Sequence, residues 1–358
     1  MINSKAYTCE ELGITAAALT GLPDLRFYNV REIPEMRIYG VMDAEDGHAF
    51  VRMPEERAKA VSESVYCLNY NTAGGRLRFV TDSPYVALRT TVGSQGVRHN
   101  FSALGAAGFD LYVKVNGRQR FFGRFPSPIT APNGFDGIVS LPEGTNEVTV
   151  NFPNYSKTSD LYVGLEQGST LTRHPDYTFE KPAIFCGSSI TQGGCASRAG
   201  MSYENIISRR CDLNYTNLGF AGSFLGQKEM ADYIATLDPS VLVLDYDHNA
   251  PNPEHLKNTH ESLYLTFRNA HPDTPVVFVG RPNYYIRNRV DSERRDVIFT
   301  TYNNARQRGE KVMFVDGYSL FGGDMRDDCT VDGTHPNDLG MSRMADVIGR
   351  AVMYALSM

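Results

Sequence analysis

The sequence predicts an N-terminal all-β sandwich, jelly-roll-like, followed by a C-terminal α/β three-layer sandwich with a flavodoxin-like, five-stranded parallel sheet. Three observations carry this expectation. Much of the first half alternates polar and apolar residues with the period of a half-buried strand. Beyond Lys181, short apolar runs alternate with stretches of helical spacing. Between the two patterns, residues 167–180 are polar and include Pro175, which sets the expected division at 1–178 and 179–358. A chain of 358 residues is also of two-domain length.

Taken in order, residues 75–81 and 85–92 read as the first strands. Residues 110–115 place Leu111, Val113 and Val115 on one face and run into Asn116-Gly117. That pair is a strong hairpin signal, because both central turn residues must tolerate positive φ. Residues 120–125 form the returning strand, and 137–141, 147–152 and 161–165 follow, with strict alternation over 147–152. Many short strands separated by Gly, Pro and Asn turns predict a sandwich.

In the second half the expected strands are 183–186, 215–218, 241–246, 276–279 and 312–315. The expected helices are 203–211, 227–237, 254–270, 295–308 and 338–356; Met230, Ile234 and Leu237 share one helical face. Apolar strands alternating with helices predict a parallel sheet covered on both faces. Right-handed crossovers close it as a doubly wound layer.

Composition narrows the function classes. Hydrophobic residues at 42% and charged residues at 21% exclude wholesale disorder. A net charge of −6 lacks the basic excess of a nucleic-acid binder, so no nucleic-acid partner is expected. No apolar run reaches membrane-spanning length, so no membrane partner is expected either. Glu10 and Glu11 interrupt the N-terminus before a signal-peptide core forms, which predicts a cytoplasmic protein. Cys9, Cys67, Cys186, Cys195, Cys211 and Cys329 are scattered without a Cys-x-x-Cys pair and read as free thiols. No Cys/His group has ligand spacing, so no zinc site is expected.

Ligands of a doubly wound sheet bind at the carboxyl ends of its strands, and three unusual segments fall there. Gly187-Ser188-Ser189-Ile190-Thr191 follows the first parallel strand and can present a serine hydroxyl at the sheet edge. Asn217-Leu218-Gly219-Phe220-Ala221-Gly222-Ser223 follows the second, where glycine lets a backbone N–H approach a substrate. Asp245-Tyr246-Asp247-His248-Asn249 ends the third, and Asn249 can either donate to an oxyanion or cap the next turn. A fourth segment, Asp332-Gly333-Thr334-His335, precedes the last helix. Its spacing lets a carboxylate hold the imidazole Nδ1–H and leave Nε2 free to take a serine proton, as in a catalytic triad.

Together these residues resemble the SGNH/GDSL hydrolase superfamily over the C-terminal half. The layout with an N-terminal β-sandwich resembles bacterial two-domain carbohydrate esterases. The resemblance implies Ser189 as nucleophile, with Asp332 and His335 completing the triad. It implies an oxyanion hole from Ser189, Gly222 and Asn249. Ser188 departs from the aspartate usual at its position, and Asp247-His248-Asn249 departs from the usual Gly-x-Asn-Asp. The implied activity is hydrolysis of a small acyl ester, acetyl on a sugar hydroxyl, with a small acylated sugar as partner and no metal or cofactor required. An acyltransferase would use the same triad, and a non-catalytic carbohydrate-binding protein would keep the fold. His248, Arg281 and Tyr284 lie at the same sheet edge and are candidates for substrate binding.

Overall fold

The computed structural model describes residues 2, 4–93, 99–128, 134–282 and 289–358. The alternation over 147–152 becomes the strand Asn146–Asn151, with Val148 and Val150 fully buried. It pairs antiparallel with Arg76–Thr81 on one side and Phe109–Val115 on the other. Asn116 and Gly117 take φ of 51° and 75° and turn the chain into the partner strand Arg118–Phe125. Leu171–Thr172 and Arg37–Tyr39 also pair with Arg76–Thr81 and complete this sheet. A second antiparallel sheet orders Leu25–Asn29, Thr158–Glu166, Tyr85–Val92 and Phe135–Ser140. Leu77, Phe79, Leu111 and Val150 of the first sheet share one core with Val86, Leu88, Leu161 and Val163 of the second. Fully burying such a side chain contributes roughly 1.5–3 kcal/mol, so the alternation decides which face turns inward.

The later residues build a five-stranded parallel sheet in the order Leu213–Gly219, Phe179–Gly187, Val241–Asp245, Val276–Val279, Val312–Val315. In sequence order that is 2-1-3-4-5, the flavodoxin-like arrangement. Every residue of Val241–Asp245 is buried, because helices cover both faces. The pleat sorts alternate residues between two cores. Ile184, Cys186, Leu242, Leu244 and Phe278 meet Met230, Leu263 and Ile298 from the helices Lys228–Ala235, Pro253–Ala270 and Arg289–Gln307. Ala183, Phe185, Val241, Val243 and Val277 meet Ile206, Met344 and Ile348 from Tyr203–Cys211 and Asp338–Leu356.

Side-chain caps set several helix starts. Asn252 accepts the His255 N–H at 2.8 Å with Pro253 in the first turn. Asn337 accepts the Gly340 N–H at 3.1 Å and starts the last helix two residues after His335. Among the described residues, no helix is long and apolar enough to cross a membrane.

The chain divides into two compact units. One comprises Met1–Val51, Tyr70–Asp176 and Arg198–Gly200; the other comprises Arg52–Asn69, Tyr177–Ser197 and Met201–Met358. Two segments therefore belong with residues distant in sequence rather than with their neighbours. Arg52–Asn69 carries the helices Glu55–Val61 and Glu63–Asn69, whose Ala58 and Val65, with Met53, are buried in the core that contains Met230 and Ile234. Arg198–Gly200 is held by Asp110, which is fully buried. Its Oδ2 accepts from Arg198 Nη1 at 3.0 Å and from the Gly200 N–H at 2.9 Å, and its Oδ1 accepts from Asn151 Nδ2 at 2.7 Å. The Arg198 guanidinium also bonds the Tyr112 hydroxyl and lies 4.1 Å from the Phe121 ring centre.

Candidate active site

Gly187 pairs with Gly219 on one side and Asp245 on the other, so three loops leave the sheet at one level. A Cβ at Gly187 would overlap Thr191 Oγ1 and the Asp245 carbonyl, and one at Gly219 would overlap the Gln192 nitrogen. Only glycine lets the loops cross so closely. After Gly187 the chain folds back on itself: the Gln192 N–H reaches the Ser188 carbonyl at 3.0 Å, and the Gly194 N–H reaches that of Ser189 at 2.8 Å. Ser188 is fully buried and its Oγ accepts the Ile190 N–H at 3.1 Å, while Ser189 is only half-buried.

The structure brings Ser189, His335 and Asp332 into one hydrogen-bonded row. Ser189 Oγ lies 2.9 Å from His335 Nε2, and His335 Nδ1 lies 2.8 Å from Asp332 Oδ2. Asp332 Oδ1 accepts the backbone N–H groups of Thr334 at 3.0 Å and His335 at 2.8 Å. Gly333, at φ 82°, makes the tight turn that permits this. Partial burial pulls the Asp332 pKa upward, but the bonds from the His335 backbone, its imidazole and Thr334 outweigh it and lower it to about 2. An ionised carboxylate only accepts, so the Nδ1 proton belongs to His335 and Nε2 is left to accept from Ser189.

Gly222 and Asn249 also meet. The Gly222 N–H donates to Asn249 Oδ1 at 3.1 Å, and Asn249 Nδ2 donates to the carbonyls of Phe220 at 2.9 Å and Phe224 at 3.0 Å. In this geometry Asn249 organises the 220–224 loop, with both amide hydrogens engaged, rather than standing ready as a donor.

Residues that sequence reasoning missed brace the same loops. Gln192, fully buried, accepts the Ala221 N–H at 3.0 Å. Arg52, 1% exposed, donates to the carbonyls of Gly219 and, at 2.7 Å, Leu68, and its guanidinium lies 4.1 Å from the Phe220 ring centre. Arg294, also buried, donates to the carbonyls of Asp247 at 2.8 Å and Ala250 at 2.7 Å, either side of Asn249. An arginine between the apolar residues Val51 and Met53 was the sole local signal for Arg52.

Of the other expected residues, His248 is half-buried beside Asn249. Arg281 donates its backbone N–H to Asp247 Oδ2 at 3.2 Å, so it joins the same loop through its main chain. Tyr284 lies outside the described residues. Beneath the site, Asp245 Oδ2 accepts from the hydroxyls of Tyr203 at 3.0 Å and Thr191 at 3.2 Å. Burial first, then the charge of Asp247, pushes the Asp245 pKa up to about 8. One further side chain reaches the row: Cys195 brings its sulfur within 4.8 Å of ligand atoms of Asp332 and His335. No sequence spacing could announce a trio whose members are so far apart in the chain.

Residues 180–353 match the model of the GDSL-like Lipase/Acylhydrolase family, and residues 25–171 match a model described as the N-terminus of Esterase_SGNH_hydro-type. The motif in that second model's name, GxDLY, reads here as Gly108-Phe109-Asp110-Leu111-Tyr112. No curated protein matches the chain. Among solved structures, a protein described as a GDSL-like lipase from Bacteroides ovatus is 25% identical with a TM-score of 0.82, over 93% of this chain and 98% of that one. The salicylyl-acyltransferase SsfX3 of a tetracycline biosynthetic pathway is 22% identical with a TM-score of 0.76, over 94% and 98%. A family two carbohydrate esterase from Clostridium thermocellum is 16% identical with a TM-score of 0.57, over 80% and 93%. The last two likenesses show the fold alone.

Proposed function

We propose that the chain, whose residues 180–353 match the model of the GDSL-like Lipase/Acylhydrolase family, is a serine esterase removing a small acyl group, acetyl, from a carbohydrate hydroxyl. The observation that carries the reading is the row Ser189 Oγ–His335 Nε2 at 2.9 Å and His335 Nδ1–Asp332 Oδ2 at 2.8 Å. Ser189 attacks the ester carbonyl while His335 takes its proton at Nε2. Asp332 stays ionised and stabilises the imidazolium that forms. His335 then protonates the leaving alcohol, and water resolves the acyl-enzyme by the reverse route.

The oxyanion would be held by the N–H groups of Ser189 and Gly222. Gly222 would exchange the neutral Asn249 Oδ1 for a charged oxygen, and hydrogen bonds to an ion are roughly twice as strong as neutral ones. Asn249 would join them as a third donor by releasing one of its two carbonyl partners. The two-domain layout shared with carbohydrate esterases supports a sugar ester, for which His248 and Arg281 are the proposed contacts.

The test is acetate release from p-nitrophenyl acetate and from acetylated oligosaccharides, wild type beside Ser189→Ala. Release from both that vanishes in the variant supports the reading. Activity that survives in Ser189→Ala removes Ser189 as nucleophile. Acyl transfer to an added acceptor sugar that outruns acetate release would make the protein an acyltransferase on the same triad.

A further inference from the structure

We propose that Cys195, Asp332 and His335 form a zinc site through which the ion reversibly switches the enzyme off; the switching rests on the reading of His335 as general base, whereas the metal binding does not. A thiol sulfur, a carboxylate oxygen and an imidazole nitrogen lie within 4.8 Å of one another. Ligand atoms around a tetrahedral zinc are about 3.5 Å apart, so side-chain shifts of roughly 1 Å bring the three into coordination. Two of them keep a path to solvent: the side chains of His335 and Asp332 are 21% and 31% exposed, whereas Cys195 is 8% exposed. Three protein ligands with one open position is the arrangement of a reactive rather than a purely structural zinc site.

The donor set selects the ion. Sulfur with imidazole and carboxylate suits zinc, whereas magnesium and calcium demand oxygen ligands throughout. Cys195 is a free thiol. Coordination removes its proton outright.

Zinc would stop turnover whichever imidazole nitrogen it takes. On Nε2 it occupies the position that accepts the Ser189 proton. On Nδ1 it displaces the hydrogen shared with Asp332, and the remaining ring proton then sits on Nε2, which donates instead of accepting. A chelator restores the metal-free tautomer.

The experiment titrates zinc chloride into the metal-free full chain, read by calorimetry and by p-nitrophenyl acetate hydrolysis. One equivalent should bind, hydrolysis should fall at least tenfold at saturation, and EDTA should restore it. Cys195→Ala should hydrolyse the ester at the wild-type rate without zinc, lose the stoichiometric binding, and need at least tenfold more zinc for the same inhibition. Cys195→Ser should behave likewise if the alanine variant folds poorly. Magnesium chloride at the same concentration should do nothing. Zinc without effect on the wild type, or Cys195→Ala bound and inhibited like the wild type, overturns the proposal. Ser189→Ala carries the control: it should bind zinc with the wild-type stoichiometry although it hydrolyses no ester, and a wild-type chain that binds one zinc through Cys195 yet hydrolyses no ester even without the ion would support the metal site and sink the esterase reading alone.

Discussion

Asp245 lies fully buried beneath Thr191, two residues beyond the proposed nucleophile, and both Thr191 and Tyr203 bond its Oδ2. A carboxyl with a folded pKa of about 8 is neutral at pH 7 and can hold its hydroxyl partners without an uncompensated charge. The sign of the stability effect follows. The unfolded group titrates near 3.9, so its stabilising contribution is complete below about pH 4 and is lost as pH rises from there to about 8. Asp245→Asn removes that dependence. Urea unfolding of both proteins at pH 5, 7 and 8.5 should show the variant gaining on the wild type with pH, by up to about 1.4 kcal/mol per unit. A gap that stays constant across that range would mean the folded carboxyl is already ionised.

At the scale of elements, the site is three loops leaving one sheet edge, and each is fixed by residues of a different kind. The loops themselves were legible in the sequence, because apolar runs such as 241–244 end abruptly in polar residues and parallel strands point those ends the same way. The turn that pairs Asp332 with His335 was legible because the interaction is local. The braces were not. Arg52 reaches a carbonyl 167 residues away, and no local period or cap encodes such a partner. The Asn249 side chain was legible as a polar group at a strand end, but its bonds to Phe220, Phe224 and Gly222 depend on where a separate loop comes to rest. Arg52→Met makes the dependence measurable. It leaves the Leu68 and Gly219 carbonyls unpaired at about 1–3 kcal/mol each. It should also lower kcat on p-nitrophenyl acetate, at most by the 10²–10³-fold or so that losing a whole oxyanion donor costs. KM should move little, and Arg52→Lys should recover part of the rate. Full kcat in a folded Arg52→Met protein would reduce Arg52 to a packing role.

At the scale of the whole molecule, the chain passes between its two units at five points, near residues 51, 69, 176, 197 and 200. The motif Gly108-Phe109-Asp110-Leu111-Tyr112 gains a physical meaning in this light. Leu111 is buried in the sandwich core, while Asp110 and Tyr112 bind Arg198, and Asp110 also takes the Gly200 N–H. A Cβ at Gly108 would overlap Leu104. The first unit thus recognises a segment that begins nine residues after Ser189. The reciprocal case is Arg52–Asn69, which supplies Met53, Ala58 and Val65 to the core around Met230 and Ile234. Residues 179–358 expressed alone would expose that surface and lose the Arg52 brace. Roughly 1.5–3 kcal/mol for each large apolar side chain uncovered is a serious fraction of the 5–15 kcal/mol or so that holds a domain together. The fragment 179–358 should therefore melt without a cooperative transition by circular dichroism and release no acetate. The fragment 52–358, which restores the segment to the second unit's core, should recover more cooperative unfolding than 179–358. Equal, full-length-like melting of 179–358 would show that the segment contributes nothing to that core and that the second unit is complete from its own stretch of sequence.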